Sequence, residues 1–162
     1  MMMTTCIHEM GHARVWQYYG MGITRVEAIP KMGFEKGIGS VMNYGECEID
    51  FDTTSVEKTE DGFYIMDKYL VKYVRGVLAG KAAELRYGIS RPIGCDQDLS
   101  QAKELCASAG ISFRKTWIET QDLVDQLFED IELLATALYK SKTRKMSGKK
   151  MTAILHKAAN IH

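Results

Sequence analysis

Residues 8–12 read His-Glu-Met-Gly-His, the H-E-x-x-H pattern. On a helix, two histidines at this spacing stand about 40° apart around the axis, one turn along. Their Cβ atoms then lie roughly 5–6 Å apart. Imidazoles at that separation can grip one small tetrahedral cation, for which Zn²⁺ is the usual choice. Glu9 falls beside such a metal rather than on it, where its carboxylate can take a proton from an attacking water. The chemistry is metal-assisted hydrolysis, and it is incomplete with two ligands. His156 and His162 are the only other histidines and lie at the far C-terminal end, where they read as structural or exposed. The longer pattern with a third histidine downstream is absent, so a carboxylate is favoured as the third ligand. Asp96 and Asp98, in Gly94-Cys-Asp-Gln-Asp-Leu99, sit where a helix is expected to begin. Glu84, late in the preceding helix, is the second candidate. Asp98 also reads as a plain helix cap with Gln101 three residues on.

The elements that must hold these groups follow from periodicity. Thr4 and Thr5 precede a helical run through Tyr19, which Gly20 ends as a left-handed glycine. Little chain precedes this helix to brace it. Residues 23–30 alternate enough for a strand, Gly33, Gly37 and Gly39 bracket a turn, and a second strand follows at about residues 38–44. Residues 47–51 read as extended and the polar residues 52–61 as a loop. From about residue 64 to residue 87, Leu70, Val74, Val77, Leu78, Ala82 and Leu85 recur at helical spacing. Gly76 and Gly80 inside this run each cost about 1 kcal/mol against alanine, which predicts close packing of another element there. Further helices are expected at about residues 97–109, 116–140 and 148–159, the last capped by Ser147. The expectation is one domain over residues 1–162, mainly α (α+β), with a small β-sheet beside the helix that carries His8 and His12.

Composition removes several functions. Lys+Arg and Asp+Glu both number 21, so no general nucleic-acid or acidic-lipid partner is indicated. The one basic excess, at residues 140–145 with Lys149 and Lys150, reads as a solvated loop. Cys6, Cys47, Cys95 and Cys106 form no C-x-x-C pair and read as reduced thiols, which implies a cytoplasmic protein. Cys6 is expected to pack away from the histidines, and Cys95 to be a buried thiol. No apolar run reaches the ~18–20 residues of a membrane span, and no signal-peptide pattern opens the chain. No phosphate-binding G-x-x-x-x-G-K-[ST] occurs either, so energy-driven work would fall to a partner.

Three blocks carry a resemblance. His8-Glu-Met-Gly-His12, Leu78-Ala-Gly-Lys-Ala-Ala-Glu-Leu-Arg-Tyr-Gly88 and Gly94-Cys-Asp-Gln-Asp-Leu-Ser-Gln-Ala102 resemble, in order, the three site blocks of the FtsH-type zinc metallopeptidases. The segment 37–44 is similar to the strand beside that family's substrate cleft, and residues 145–155 to its C-terminal helix. The resemblance covers nearly the whole chain. It implies His8, His12 and Asp98 as Zn²⁺ ligands, Glu9 as the catalytic base, and Glu84 as a group close to the metal that orients a histidine. It also implies an unfolded or loosely folded polypeptide as substrate, a separate ATPase or unfoldase as partner, and a homo-oligomer, a hexamer by analogy. Met10 replaces the family's alanine, Asp96-Gln97 its Ser-Asn, and Leu85 its second glutamate. The family's ATPase module and membrane anchor have no counterpart in these residues. The resemblance therefore supports peptidase chemistry, with a non-catalytic zinc-binding scaffold or adaptor as the alternative.

Overall fold

The computed structural model describes residues 2–35, 39–43, 45–50, 56–59, 62–65, 67–89 and 95–161. Helix α1 (Met2–Tyr18) leads into strands β1 (Gly22–Glu27), β2 (Lys31–Glu35), β3 (Gly39–Asn43), β4 (Glu46–Asp50), β5 (Val56–Thr59) and β6 (Gly62–Ile65). Helices α2 (Asp67–Arg86), α3 (Cys95–Ser108) and α4 (Phe113–Lys140) follow, then strand β7 (Lys145–Ser147) and helix α5 (Gly148–Ala159). The described chain is mainly helical with a small antiparallel sheet, the expected α+β class.

Helix α1 is the axis of the structure. Residues 6–13 are all buried, because α1 lies against α2 and α4 and carries strand β1 on a further side. A helix covered on all sides needs apolar or small residues all round. Cys6, Ile7, Met10, Ala13 and Val15 supply them and join Ile131, Leu134, Leu138, Met146 and Met151 in one core. Burial at these positions is worth about 1.5–3 kcal/mol for each large apolar side chain. Cys6 packs in that core as expected. The helix is braced by α2 and α4. Gly11 sets the closest approach to α2: a Cβ there would lie 2.6 Å from the Ala79 carbonyl oxygen and 2.8 Å from the Ala83 Cβ.

The sheet has the order β4-β1-β7, all antiparallel, with a register shift between Ile23 and Arg25 where β1 meets β4. Strand β7 was not anticipated. It closes the edge of β1 opposite to β4, pairing Val26 with Met146 beneath the core, so the basic segment is a loop only as far as Arg144. The hairpins β2–β3 and β5–β6 are separate pairs. Gly33, read as part of a turn, lies within β2. Strand β5 occupies part of the expected 52–61 loop, because Val56↔Ile65 and Thr59↔Gly62 pair across a short connection that overrides the polar composition. For the same reason the helix expected from residue 64 starts only at Asp67. Gly37, the remainder of 52–61, residues 90–94, His162 and the side chains of Cys95 and Asp96 lie outside the described residues.

The helix ends follow their local chemistry. Gly20, Gly88 and Gly110 all take positive φ, the left-handed conformation that stops a helix. Ser112 caps α4 by accepting from the Lys115 amide, so this helix begins three residues before the expected Thr116. Ser147 caps α5 as expected, accepting from Lys150 N at 3.3 Å. His156 is exposed near the C-terminal end of α5.

Candidate metal centre

Three elements bring the ligand atoms together. His8 and His12 stand one turn apart on α1, and both face α2 where Gly80 leaves room. A Cβ on Gly80 would fall 2.5 Å from His12 Nε2 and 2.8 Å from His8 Cε1. This is the close approach that Gly80 implied in the sequence. Asp98 reaches in from the first turn of α3, and the helix starts at Cys95, so Asp98 is within it and not its cap. Its Oδ2 lies 3.1 Å from His8 Nε2 and 3.3 Å from His12 Nε2, and the two Nε2 atoms are 2.9 Å apart.

The tautomers are set by the outer ring nitrogens. His12 Nδ1 lies 2.8 Å from the Gly76 carbonyl oxygen, which only accepts, so in the neutral ring the proton is on Nδ1 and Nε2 carries the lone pair. His8 Nδ1 faces Glu84 Oε1 at 3.5 Å, too long for a good hydrogen bond but the same polarity, again favouring a bare Nε2. Two lone pairs and a carboxylate oxygen therefore converge on one point. Asp98 Oδ2 is buried and has no hydrogen-bond partner among the described residues. Such an arrangement is repulsive unless positive charge enters it.

Electrostatics give the same answer. Burial disfavours charge on His8, yet among the protein's own groups Asp98 and Glu84 outweigh it and push its pKa up to about 10. Burial would likewise raise Asp98, but His12 and His8 hold its carboxyl well below the usual carboxylate range. The site therefore favours positive charge, and a divalent metal is one cation that could supply it. The donor set of two imidazole nitrogens and one carboxylate oxygen is that of zinc sites with an open position. Ligand atoms ~2.0–2.2 Å from a common tetrahedral centre lie about 3.3–3.6 Å from one another, a few tenths of an ångström wider than the 2.9–3.3 Å separations here. His8, His12 and Asp98 thus fit a bound Zn²⁺.

Glu9 is buried beside this group and outside the converging set. Burial raises its pKa, against the opposing pull of His8 and His12. Its carboxylate lies under the backbone of Gly45, just before β4, where a Cβ would come within 2.5 Å of Oε1. Among the described residues β4 is an edge of its sheet, and β3, in the segment expected to flank the cleft, pairs with β2 on one side only. The backbone meeting Glu9 is at Gly45, between these two strands in the chain. Glu84 is almost fully buried and stands behind His8 instead of joining the ligand set, so of its two expected roles the geometry fits the orienting one.

Two residues of the site were missed in the sequence. Gly45 carried no signal by itself. Trp16 did: it follows His12 by four residues, so it lies on the same face as both histidines. Comparison of the chain with protein-family models and with curated proteins finds no match.

Proposed function

We propose that the protein is a zinc-dependent endopeptidase of unfolded or loosely folded chains, similar in its site to the FtsH-type metallopeptidases. The observation that carries this reading is the convergence of His8 Nε2, His12 Nε2 and Asp98 Oδ2 with a separate buried carboxylate, Glu9, alongside. A structural zinc site fills its positions with protein ligands and needs no general base. Bound by these three residues, Zn²⁺ would supply Lewis acidity, polarising a scissile carbonyl and acidifying a water.

The protein's own groups do the rest. Glu9 takes the proton of the attacking water and returns it to the leaving amine; its burial raises its basicity for that role. Glu84 and the Gly76 carbonyl hold the two imidazoles with their Nε2 atoms inward. An extended substrate would pair its backbone with the open edge of β4, beside Glu9. A partner unfoldase and a ring of subunits belong to the same proposal. Among the described residues no helix is long and apolar enough to cross a membrane.

The test is metal content of the purified protein together with chelator-sensitive cleavage of an unfolded chain, for wild type and Glu9→Gln. The expected result is zinc in both and a ~10²–10⁴-fold slower cleavage in the variant. Full cleavage by zinc-loaded Glu9→Gln would falsify the mechanism. Zinc in the wild type with no cleavage would support the scaffold reading instead.

A further inference from the structure

Trp16 lies at the end of the histidine face and does more than fill space. Its indole stacks on the His12 ring, with centroids 5.5 Å apart and planes 22° from parallel. On its other side it stacks on Tyr73 of α2, at 5.7 Å and 21°. The indole Nε1 donates to the Tyr73 carbonyl oxygen at 3.1 Å, which fixes the ring in its plane. Gly76 makes the arrangement possible: a Cβ there would fall on the indole itself. The same Gly76 offers its carbonyl to His12 Nδ1. Trp16 and the tautomer-setting bond of His12 thus converge on one residue of α2.

The stack also reaches the third ligand. Apart from a main core around α1, a second apolar cluster seats α3 on α2, through Leu70, Val74, Leu78, Ala102 and Cys106, with Leu99 and Tyr73 packed against it. Trp16 is the α1 side chain in that cluster. Asp98 is next to Leu99, and Gln101 on the following turn donates to the Tyr73 hydroxyl at 3.4 Å. The helix that carries the imidazoles and the helix that carries the carboxylate both pack on α2, and Trp16 is the α1 side chain in the cluster that seats α3 there.

We infer that Trp16 is a positioning residue of the metal centre, holding the His12 ring in its plane and setting the distance from the α1 imidazoles to Asp98, so that the three ligand atoms are preorganised for a divalent cation. This rests on the metal-site reading above. Its consequence is in metal affinity: outer groups that orient a metal-binding histidine are worth ~10–100-fold in affinity. An aromatic ring at position 16 retains the stack, whereas an aliphatic one fills part of the volume without orienting His12. The indole also reports on the site, since it is in ring contact with a ligand imidazole.

The chain has two tryptophans, so a Trp117→Phe background isolates the emission of Trp16. Zinc titration of that protein should change Trp16 emission and saturate at one ion per chain. Zinc affinity by chelator competition should fall at least ~10-fold in Trp16→Leu and stay within about threefold of wild type in Trp16→Phe. Emission that does not respond to bound zinc would overturn the inference, as would a folded Trp16→Leu protein that binds zinc like the wild type. If Trp16→Leu does not fold, the emission titration and the Phe variant decide. A wild type that binds no zinc would overturn the metal-site reading and this inference together; zinc binding without cleavage would leave this inference standing.

Discussion

Two buried carboxylate clusters, one at the end of strand β1 and one beside α1, are resolved in different ways. Glu27, 1% exposed, is surrounded by cations of the chain itself: Arg25 Nε at 2.9 Å, Lys31 Nζ at 2.7 Å and Lys145 Nζ at 2.9 Å. At the α1 cluster, the ion-pair partners of Asp98 and Glu84 are imidazoles, and the groups acting on Glu9 are those imidazoles and other carboxylates. In the first cluster the charge balance is complete within the protein, and the result is a clamp between β1, β7 and the segment after β1. In the second the described chain offers only imidazoles, and the cluster is the candidate metal site. A buried anion is costly unless paired. What distinguishes structural from chemical use here is whether the chain supplies the partner.

The comparison is broken most severely at Gly80. Alanine there is favoured by about 1 kcal/mol as a helix residue. Its methyl would nevertheless meet both imidazoles, and overpacking costs typically 1–3 kcal/mol. Gly80→Ala should therefore lower stability slightly in denaturant unfolding and weaken zinc by about 10–100-fold in chelator competition, with the Glu27 clamp untouched. Undiminished zinc affinity would mean that α2 does not set the imidazoles.

Removing the other carboxylate should have the reverse signature. Glu27→Ala leaves three cations that are 41–49% exposed and can rehydrate, so the loss falls below that of a fully buried pair. We expect about 1–3 kcal/mol in urea unfolding, with zinc affinity unchanged. A smaller effect separates the two clusters by pH. The Lys31 and Lys145 ammonium groups hold the Glu27 carboxyl down to about 2, against an ordinary value of 4.5, and outweigh the opposing effect of burial. Because the folded value is the lower one, this contribution is fully present above about pH 4.5 and is lost as pH falls toward 2. The urea midpoint of wild type should drop more steeply over that window than that of Glu27→Gln; parallel curves would show that the clamp does not stabilise the fold.

Those two clusters were unequally legible in the sequence. His8, Glu9 and His12 are four residues apart at most, and helical geometry alone brings them together. Gly76 and Gly80 announced a close neighbour by being glycines inside a helix, and the neighbours are Trp16 and the two histidines. Asp98 could be singled out from Asp96 and Glu84 only through the resemblance, because its approach depends on how α3 packs on α2. The Glu27 clamp was illegible: Lys145 arrives on a three-residue strand too short to show a period, within a basic stretch that reads as solvated. The burial of α1 was hidden by Thr4, Thr5, Arg14 and Gln17, polar residues spread around a helix that shows no apolar stripe. Strand β5 was masked by polar side chains, since pairing within a hairpin depends on backbone more than on apolar content.

The central claim is that the α1 cluster is completed by a metal ion held by His8, His12 and Asp98. Equilibrium zinc binding of the wild type and of Asp98→Ala, measured by chelator competition on folded protein, tests it most directly. The account predicts one ion per wild-type chain and at least a ~100-fold weaker affinity in the variant, since a ligand and not an outer group is removed. A wild type that binds no zinc, or an Asp98→Ala protein that binds it as tightly as the wild type, would contradict the account.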